Sequence, residues 1–353
     1  MRYKIGRHKA GKLGFVPLFL MLFVLVLLLQ CSSYAAMKMT RDVKNPSGEQ
    51  KAFLEKYRGI PAKGHLIENV PFYKQKDRNY CGPVVLSMVL NYWEGDETFS
   101  QEEIAKAIFN PEVEITNNSD MVFYPQSKGF LVYSFNGDID KLKNFINEDI
   151  PVIVLQQVVD KVVKKGHYRV VIGYDESRKA IILHDPWLGS NLSMNVRTFS
   201  QLWNFGEIIN KKNWALVILP EERAYIFDGF EENALTHHNI ATALYNRGRL
   251  KEAVDEWEKA VEIAPEEVTF YYCIAQVYTE QGAYDKALKY GNLAVNLDNN
   301  NGFAYDVLGW AFYKKGMLAE SLEYIGKAVQ LNPDVEFIKE HYDVVAQAVN
   351  AQK

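Results

Sequence analysis

A 34-residue period in the last third of the chain constrains the fold more than any other feature of the sequence. Gly248, Gly282 and Gly316 are each 34 residues apart. The same offset links four further columns of residues, which are Ala260, Ala294 and Ala328; Ala253, Ala287 and Ser321; Leu244, Tyr278 and Phe312; and Pro265, Asn299 and Pro333. A repeated unit of this length is typical of a stacked helical array. We therefore predict an all-helical C-terminal region.

The columns resemble the tetratricopeptide repeat, which has small residues where its two helices touch, glycine at the turn and proline after the second helix. Three units are predicted at 234–267, 268–301 and 302–335, with a capping helix at 336–353. His237 and His238 stand where an aromatic residue would usually begin the first unit, and we expect them on the repeat surface. The resemblance implies a groove for a peptide or a partner protein. A structural spacer or a self-association surface is the alternative.

The first 36 residues have the pattern of an export signal. A basic lead without acidic residues contains Arg2, Lys4, Arg7, Lys9 and Lys12. It precedes an apolar run at 15–29, which is short for a stable membrane span. Ser33 and Ala35 suit ordinary signal cleavage, whereas "LLQC" resembles a bacterial lipobox in which Cys31 would be lipidated. We expect an exported protein of the bacterial periplasm or outer membrane, either secreted, lipid-anchored through Cys31, or held by an uncleaved signal.

Net charge and cysteine content argue against nucleic-acid binding and against a fold held by disulfides. The chain has a formal net charge of −4, and cleavage of the signal would remove five basic residues, which gives −4 − 5 = −9. An acidic chain is a poor candidate for nucleic-acid binding. No motif for a metal or a nucleotide is found, so no cofactor is predicted. Cys31, Cys81 and Cys273 are too few for a disulfide framework, and Cys273 falls at a helix-packing position of the second repeat.

The region between signal and repeats reads as a linker followed by an α+β domain. Residues 37–67 are polar and are interpreted as a linker with one short helix at 49–57. The apolar spacing after Pro83 predicts a helix that begins at or just after Cys81, and "SQEE" predicts a second helix at 100–108 with a capping box. Short β-branched runs at 151–157, 167–175, 180–185 and 214–220 predict strands. Helices followed by an antiparallel sheet indicate an α+β domain at 68–222.

Cys81 is the candidate nucleophile of this domain. A thiol attacks as a thiolate, and both a helix N-terminus and a neighbouring imidazolium lower its pKa. Two histidines, His167 and His184, lie on the predicted strands. If the hairpin turn is centred near Ser177, paired residue numbers sum to about 354, so that His167 and Asp185 share one face and His184 faces away. A one-residue shift in register would invalidate this pairing.

The residues suggest four roles in nucleophilic catalysis. Cys81 is the predicted nucleophile, His167 the general base and acid, and Asp185 the residue that orients the imidazole. The Gln75 amide, together with the backbone N–H of Cys81, is the predicted oxyanion donor. Trp187, next to Asp185, is expected to form a wall of the substrate cleft, and Gly82 is expected to border substrate. The aromatic residues Tyr124, Trp203 and Trp214 are expected in the core.

The motifs "Q-x5-C-G-P", "GHYRVVIGYD" and "HDPWLG" resemble the double-glycine, bacteriocin-processing cysteine peptidases, which have a papain-like fold. The resemblance covers about 70–220 and implies that Cys81, His167, Asp185 and Gln75 are the catalytic residues. Members of that family often precede an ATP-driven transporter, which this chain lacks, so double-glycine specificity does not follow. Two alternatives remain open at this stage: an acyl transferase that works through a thioester, and a peptide-binding adaptor without catalysis.

Overall fold

Within the residues that the computed structural model describes, 53–112, 114–160, 163–204, 212–227 and 233–352, an eight-stranded antiparallel sheet precedes an array of helices. The predicted signal at 1–36 and Cys31 lie outside the described residues. The strands are β1 (Glu55–Lys56), β2 (Gly64–Leu66), β3 (Phe109–Asn110), β4 (Ile115–Thr116), β5 (Leu131–Asn136), β6 (Val152–Asp160), β7 (Val163–Asp175), β8 (Ala180–Asp185), β9 (Gly189–Asn195) and β10 (Trp214–Leu219). The helices of the same region are α1 (Cys81–Glu94), α2 (Gln101–Ile108), α3 (Asn118–Ser127), α4 (Ile139–Asn147) and α5 (Val196–Trp203).

The strand order of the large sheet is β1-β9-β8-β7-β6-β10-β5, with β2 added to β7 beyond the end of β6. Because side chains alternate across a strand, β7 buries Val170 and Ile172 on one face and Val171 on the other. Helices α1, α2 and α3 cover the first face, and α4 and α5 cover the second. The α+β architecture predicted from the sequence is confirmed.

Helix α1 lies at the centre of this domain. It begins at Cys81, as predicted, and Pro83 occupies its first turn, where the missing N–H has no helical partner in any case. Its residues from Gly82 to Asn91 are all buried, and it ends at Gly95, which adopts the left-handed conformation with φ of 76°. Ser100 caps α2 as predicted, with its hydroxyl accepting the Glu103 N–H at 3.3 Å. Burial on all sides fixes the position of Cys81.

The hairpin of β7 and β8 differs in detail from its prediction. Next to the turn, Asp175 pairs with Ala180 and the residue numbers sum to 355, not 354. A bulge between Val171 and Gly173 then shifts the register, so that Val170 pairs with His184 and the sum becomes 354. The predicted register is therefore wrong at the turn and right near His167, because a β-bulge inserts one unpaired residue between the two.

The interpretation of 37–67 as a linker with a helix is wrong for its C-terminal part. Glu55–Lys56 is a strand that pairs with β9, and β2 pairs with β7. Tyr57 is buried and donates its hydroxyl hydrogen to Asp175 at 2.8 Å. The strand forms because the edge of β9 offers backbone partners that a local pattern does not reveal.

The repeats form the predicted array. Their helices are α6 (Ala234–Asn246), α7 (Leu250–Ile263), α8 (Val268–Glu280), α9 (Tyr284–Leu297), α10 (Gly302–Lys315), α11 (Leu318–Leu331) and α12 (Glu336–Asn350). Gly248, Gly282 and Gly316 lie at the turns with φ of 72°, 73° and 88°, which is the conformation that favours glycine. Cys273 is buried between helices as expected. Among the described residues, none of the helices combines the length and apolar character that crossing a membrane requires.

The array continues directly from the α+β domain. Helix α3 packs against α6, in the same way that α9 packs against α10 and α11 against α12. Arg247 at the end of α6 forms an ion pair with Asp120 of α3 at 2.8 Å, and the Ser134 N–H donates to the Thr236 hydroxyl at 2.9 Å. One apolar cluster runs from α1 and α3 into the first repeats. Helix α3 therefore takes the place of a preceding repeat helix.

One prediction for the repeats is incorrect. His238 was expected on the repeat surface, but it is fully buried and its Nδ1 accepts the Trp257 Nε1–H at 3.0 Å. His237 is partly buried and lies 2.6 Å from the Glu256 carboxylate. The His238 ring lies 6.4 Å from the Trp257 ring of α7 and 5.5 Å from the Phe270 ring of α8, measured between ring centroids, so it is buried between the helices of the first two repeats.

Candidate active site

Cys81 opens α1 and is partly exposed, with a free thiol. The thiol hydrogen-bonds the His167 ring and accepts the backbone N–H groups of Tyr168 and Gly82. Burial raises the pKa of the Cys81 thiol, but the hydrogen bond and charge of His167 and the two N–H groups outweigh it, so the pKa falls below its usual value. The site thus favours a thiolate.

His167 lies on β7 and is 8% exposed. Its Nε2 is 3.1 Å from Asp185 Oδ1, which leaves Nδ1 as the ring nitrogen for Cys81. Burial lowers the pKa of His167, whereas the charge and hydrogen bond of Asp185 and then the Cys81 thiolate raise it, with a net rise from 6.5 to about 9. Near neutral pH the ring is therefore an imidazolium between two anions.

Asp185 ends β8 and is fully buried. Its Oδ1 accepts the His167 Nε2–H at 3.1 Å and the backbone N–H groups of Trp187 at 2.8 Å and Leu188 at 2.9 Å. Its Oδ2 accepts the Arg169 Nε–H at 2.8 Å. Burial raises the pKa of Asp185, but the charges of His167 and Arg169 and these hydrogen bonds hold it far below its usual range. The carboxylate is a fixed anion that orients the imidazole.

His184 is not a second base. Its Nε2 lies 3.1 Å from the Val70 carbonyl oxygen, and its Nδ1 accepts the Asn191 N–H at 3.1 Å. This arrangement requires a neutral ring, and burial lowers the pKa of His184. The prediction that His184 faces away from Cys81 agrees with its partners.

Gln75 lies beside the loop that carries Asp185, because its backbone N–H donates to the Pro186 carbonyl at 2.9 Å. Its side-chain amide donates to the carbonyl oxygens of Asp77 at 2.9 Å and Arg78 at 2.6 Å. Both amide hydrogens are therefore engaged within the loop that precedes α1. An oxyanion contact from Gln75 would require one of these two bonds to open.

Gly82 packs against the hairpin of β3 and β4. A Cβ at this position would lie 2.8 Å from Thr116 Cβ, which is a collision. Only glycine therefore lets the hairpin approach the first turn of α1. The contact of Gly82 with substrate stays a prediction. Trp187 is partly buried beside Asp185, whereas Tyr124, Trp203 and Trp214 are buried in the core as expected.

Sequence reasoning missed Arg169 and Gln156. Arg169 is 1% exposed and donates from Nη1 to Gln156 Oε1 at 2.7 Å, in addition to its bond with Asp185. Gln156 is fully buried on β6 and donates to the Phe199 carbonyl at 3.1 Å. A signal was present, because an arginine in the apolar run "HYRVVIGYD" shares the face of His167.

Comparisons with known proteins agree with this division of the chain. Residues 67–206 match the Peptidase_C39 like family. Residues 241–282 match a TPR repeat family, and 268–301 and 304–335 match the tetratricopeptide repeat. The chain therefore carries a Peptidase_C39-like domain followed by C-terminal tetratricopeptide repeats, as the sequence motifs predicted.

Two proteins that are similar to part of this chain are tetratricopeptide repeat-containing proteins. The small glutamine-rich tetratricopeptide repeat-containing protein 2 of Mycosarcoma maydis is 29% identical over 87 residues, 25% of this chain and 25% of the relative. Its namesake in Saccharomyces cerevisiae is 27% identical over 107 residues, 29% of this chain and 31% of the relative. The chain thus spans about a quarter to a third of these relatives.

Solved structures of tetratricopeptide domains are also similar to part of this chain. The Sgt2 domain from Aspergillus fumigatus has a TM-score of 0.32 at 19% identity, over 33% of this chain and 79% of that one. The first TPR of Spaghetti (RPAP3), bound to the HSP90 peptide SRMEEVD, has a TM-score of 0.32 at 22% identity, over 33% of this chain and 94% of that one.

Proposed function

We propose that this protein is a cysteine peptidase that hydrolyses peptide bonds through Cys81, His167 and Asp185. The observation that carries the proposal is the Cys81 thiol at a helix start, hydrogen-bonded to a histidine whose pKa, despite burial, is raised to about 9 by a buried carboxylate. This combination supplies an activated nucleophile together with a proton donor. The match to the Peptidase_C39 like family supports the same reaction class.

The reaction follows from the positions of the charges. The Cys81 thiolate attacks the scissile carbonyl carbon, and the carbonyl oxygen takes up the electron pair. The His167 imidazolium then donates its proton to the leaving amine as the C–N bond breaks, which leaves a thioester on Cys81. Neutral His167 next removes a proton from water, the hydroxide attacks the thioester, and a carboxylate and the Cys81–His167 pair are regenerated.

The oxyanion would be stabilised at the start of α1. The first N–H groups of a helix lack carbonyl partners within it and create a positive potential there, and the Gly82 N–H already faces the sulfur. The Cys81 N–H is the main donor in this proposal. Gln75 joins it when one of its bonds to Asp77 and Arg78 opens.

The repeats would hold the substrate or a partner protein close to the catalytic domain. The ion pair of Arg247 with Asp120 and the continuous apolar cluster fix the first repeat against the domain. A peptide bound along the array would therefore be held at a constant distance from Cys81, which raises its effective concentration at the site.

Peptide hydrolysis in H₂¹⁸O tests this proposal. Wild-type protein should cleave members of a mixed peptide library and place ¹⁸O in the new carboxyl termini, whereas Cys81→Ala should lose more than about a thousandfold in rate. Cys273→Ser is the matched control, since Cys273 is buried in the second repeat. An added amine that captures most of the acyl group would indicate an acyl transferase instead. Binding without turnover, unchanged in Cys81→Ala, would indicate an adaptor.

We also propose that the protein is exported to the periplasm or the outer membrane. The basic lead, the apolar run at 15–29 and Cys31 support this location. Cell fractionation with a palmitate label tests it, with Cys31→Ser as the control. Label that depends on Cys31 would indicate a lipid anchor, label-free soluble protein would indicate secretion, and recovery in the cytoplasm would contradict export.

A further inference from the structure

Arg169 is a full positive charge in the interior of the domain. It is among the largest fully buried side chains, at 1% exposure. Its guanidinium bridges Asp185 Oδ2 at 2.8 Å and Gln156 Oε1 at 2.7 Å, and Gln156 in turn holds the Phe199 carbonyl at 3.1 Å. The charge is thereby fixed from β8, β6 and α5 at once.

The fold alone does not explain this charge. Burying an ion costs free energy even when it is paired, and apolar replacements of similar volume are often as stable. Val171, the next residue on the same face of β7, is apolar and packs in the core. Asp185 also has three hydrogen bonds on Oδ1 without Arg169. A role at the active site would account for the guanidinium.

We infer that Arg169 is a positioning residue that sets the pH range in which Cys81 and His167 form an ion pair, by neutralising Asp185 and fixing its second oxygen. This inference rests on the proposed function and names a residue that tunes it. Arg169 does not touch the sulfur or the substrate, and it acts through Asp185.

The direction of the effect follows from the net charge of the cluster. The thiolate, the imidazolium and the Asp185 carboxylate together carry one negative charge, and Arg169 brings the sum to zero. Without it, the uncompensated carboxylate would raise the pKa of Cys81 as well as that of His167, because negative charge disfavours a second anion and favours a cation. Thiolate formation would then require a higher pH.

The other groups that face the cluster do not supply this compensation. From β6 the facing side chain is neutral Gln156, and from α5 it is the Phe199 carbonyl. From β7, Tyr168 keeps a neutral phenol, since burial and then the charges of Cys81 and Asp120 raise its pKa well above the usual value. His184 is held neutral by Val70 and Asn191. Within the described residues, the fixed cation that contacts Asp185 is Arg169.

The test is the pH dependence of Cys81 alkylation by iodoacetamide in the intact chain, followed on the Cys81 peptide by mass spectrometry. For a separation of about 8 Å and an effective dielectric constant of about 20, removing a full charge shifts a titration by about 1.5 pH units. Arg169→Met should therefore move the low-pH limb of the profile to higher pH by about 1.5 units. Arg169→Lys keeps the charge and should restore the limb to near its wild-type position.

Two variants separate charge from packing. Gln156→Leu removes a hydrogen bond of Arg169 but no charge, so it should lower thermal stability and leave the limb in place. Gln156→Glu creates no cavity and gives Arg169 a second carboxylate, so it should shift the low-pH limb to higher pH. This variant tests the inference even if Arg169→Met does not fold. Circular dichroism and a melting curve establish which variants are folded.

The outcomes distinguish this inference from the proposed function. A wild-type limb well below that of a free thiol, raised in Arg169→Met or Gln156→Glu and restored by lysine, supports the role of Arg169. A low wild-type limb that neither Arg169→Met nor Gln156→Glu moves overturns the inference and leaves the peptidase proposal intact. A low-pH limb that shifts as far in Arg169→Lys as in Arg169→Met also overturns the inference. A wild-type limb near 8.5, where a free thiol titrates, overturns both.

Discussion

Replacing Asp185 by asparagine should convert His167 from an imidazolium to a neutral ring at neutral pH. Burial lowers the pKa of His167, and the Asp185 carboxylate is the largest of the causes that nevertheless raise it from 6.5 to about 9. With the carboxylate gone, burial and the unpaired Arg169 charge lower the pKa while the Cys81 thiolate still raises it, so the pKa should fall back to about the ordinary value of 6.5.

The magnitude follows from these values. A difference of about 2.5 pH units corresponds to ~3.4 kcal/mol in favour of the charged ring. At pH 7.5 the wild-type ring is then charged by roughly 30 to 1, and in Asp185→Asn it is neutral by roughly 10 to 1. The amide oxygen of the introduced asparagine would still accept a hydrogen bond, so the geometry of the ring changes less than its charge.

The assay is NMR titration of protein labelled at its seven histidines, with the His167 signal assigned by its absence in His167→Gln. Removing one partner of a buried pair costs about 3–5 kcal/mol of stability, so Asp185→Asn combined with Arg169→Met serves as a second variant without the unpaired cation. Wild-type His167 that titrates near 6.5, or a pKa near 9 that persists in both variants, would refute the reasoning.

Three further predictions concern stability. Because the folded pKa of His167 lies above its unfolded value, its contribution is complete below about pH 6.5 and is lost as the pH rises through about 9; His167→Gln should remove this slope from urea-unfolding free energies, and an unchanged slope would contradict the assignment. Arg247→Ala should cost about 1–3 kcal/mol at pH 7, since burial already raises the pKa of Asp120 and Arg247 opposes it. This loss of stability should shrink at acid pH as Asp120 takes up a proton. The control Lys315→Ala removes an exposed pair with Asp285 and should change the stability little. An Arg247→Ala loss no larger than that of Lys315→Ala would contradict a stabilising role for the Arg247–Asp120 pair. Gly309→Ala should cost about 1–3 kcal/mol, because its Cβ would lie 2.5 Å from Ile325 Cγ1 and 2.9 Å from the Ile325 nitrogen. Gly326→Ala, whose nearest neighbour is Tyr342 Cε2 at 3.7 Å, should stabilise its helix by about 0.5–1 kcal/mol, and the reverse order in thermal melts would contradict the packing.

The repeats could be predicted from a period within the sequence, whereas the site could be predicted only through the pairing of two strands. Each repeat contacts mainly its neighbours, so the 34-residue period specifies the array directly. The site depends on contacts across the sheet, and its prediction required a register for β7 and β8. The turn departs from that register by one residue, and the bulge near Gly173 compensates. His167 and Asp185 therefore meet as predicted, although a local pattern cannot reveal a bulge.

Other features could not be predicted, because their partners are distant in sequence. Helix α3 contains Pro125 and is buried on both α1 and α6, so it lacks the single apolar stripe by which a surface helix is recognised. Strand β1 depends on the free edge of β9. The two bonds of Gln75 to Asp77 and Arg78 depend on a loop conformation, so a motif match alone did not indicate that the amide is already engaged.

The central claim is that Cys81 and His167 form a thiolate–imidazolium pair, and the most direct measurement is the rate of Cys81 alkylation against pH in wild type and His167→Ala. The lowered pKa of Cys81 predicts a wild-type rate that stays high well below pH 8.5, the usual titration point of a free thiol, and a rate in His167→Ala that falls with decreasing pH as for an ordinary thiol. Identical profiles with a midpoint near 8.5 would contradict the pair and with it the proposed peptidase.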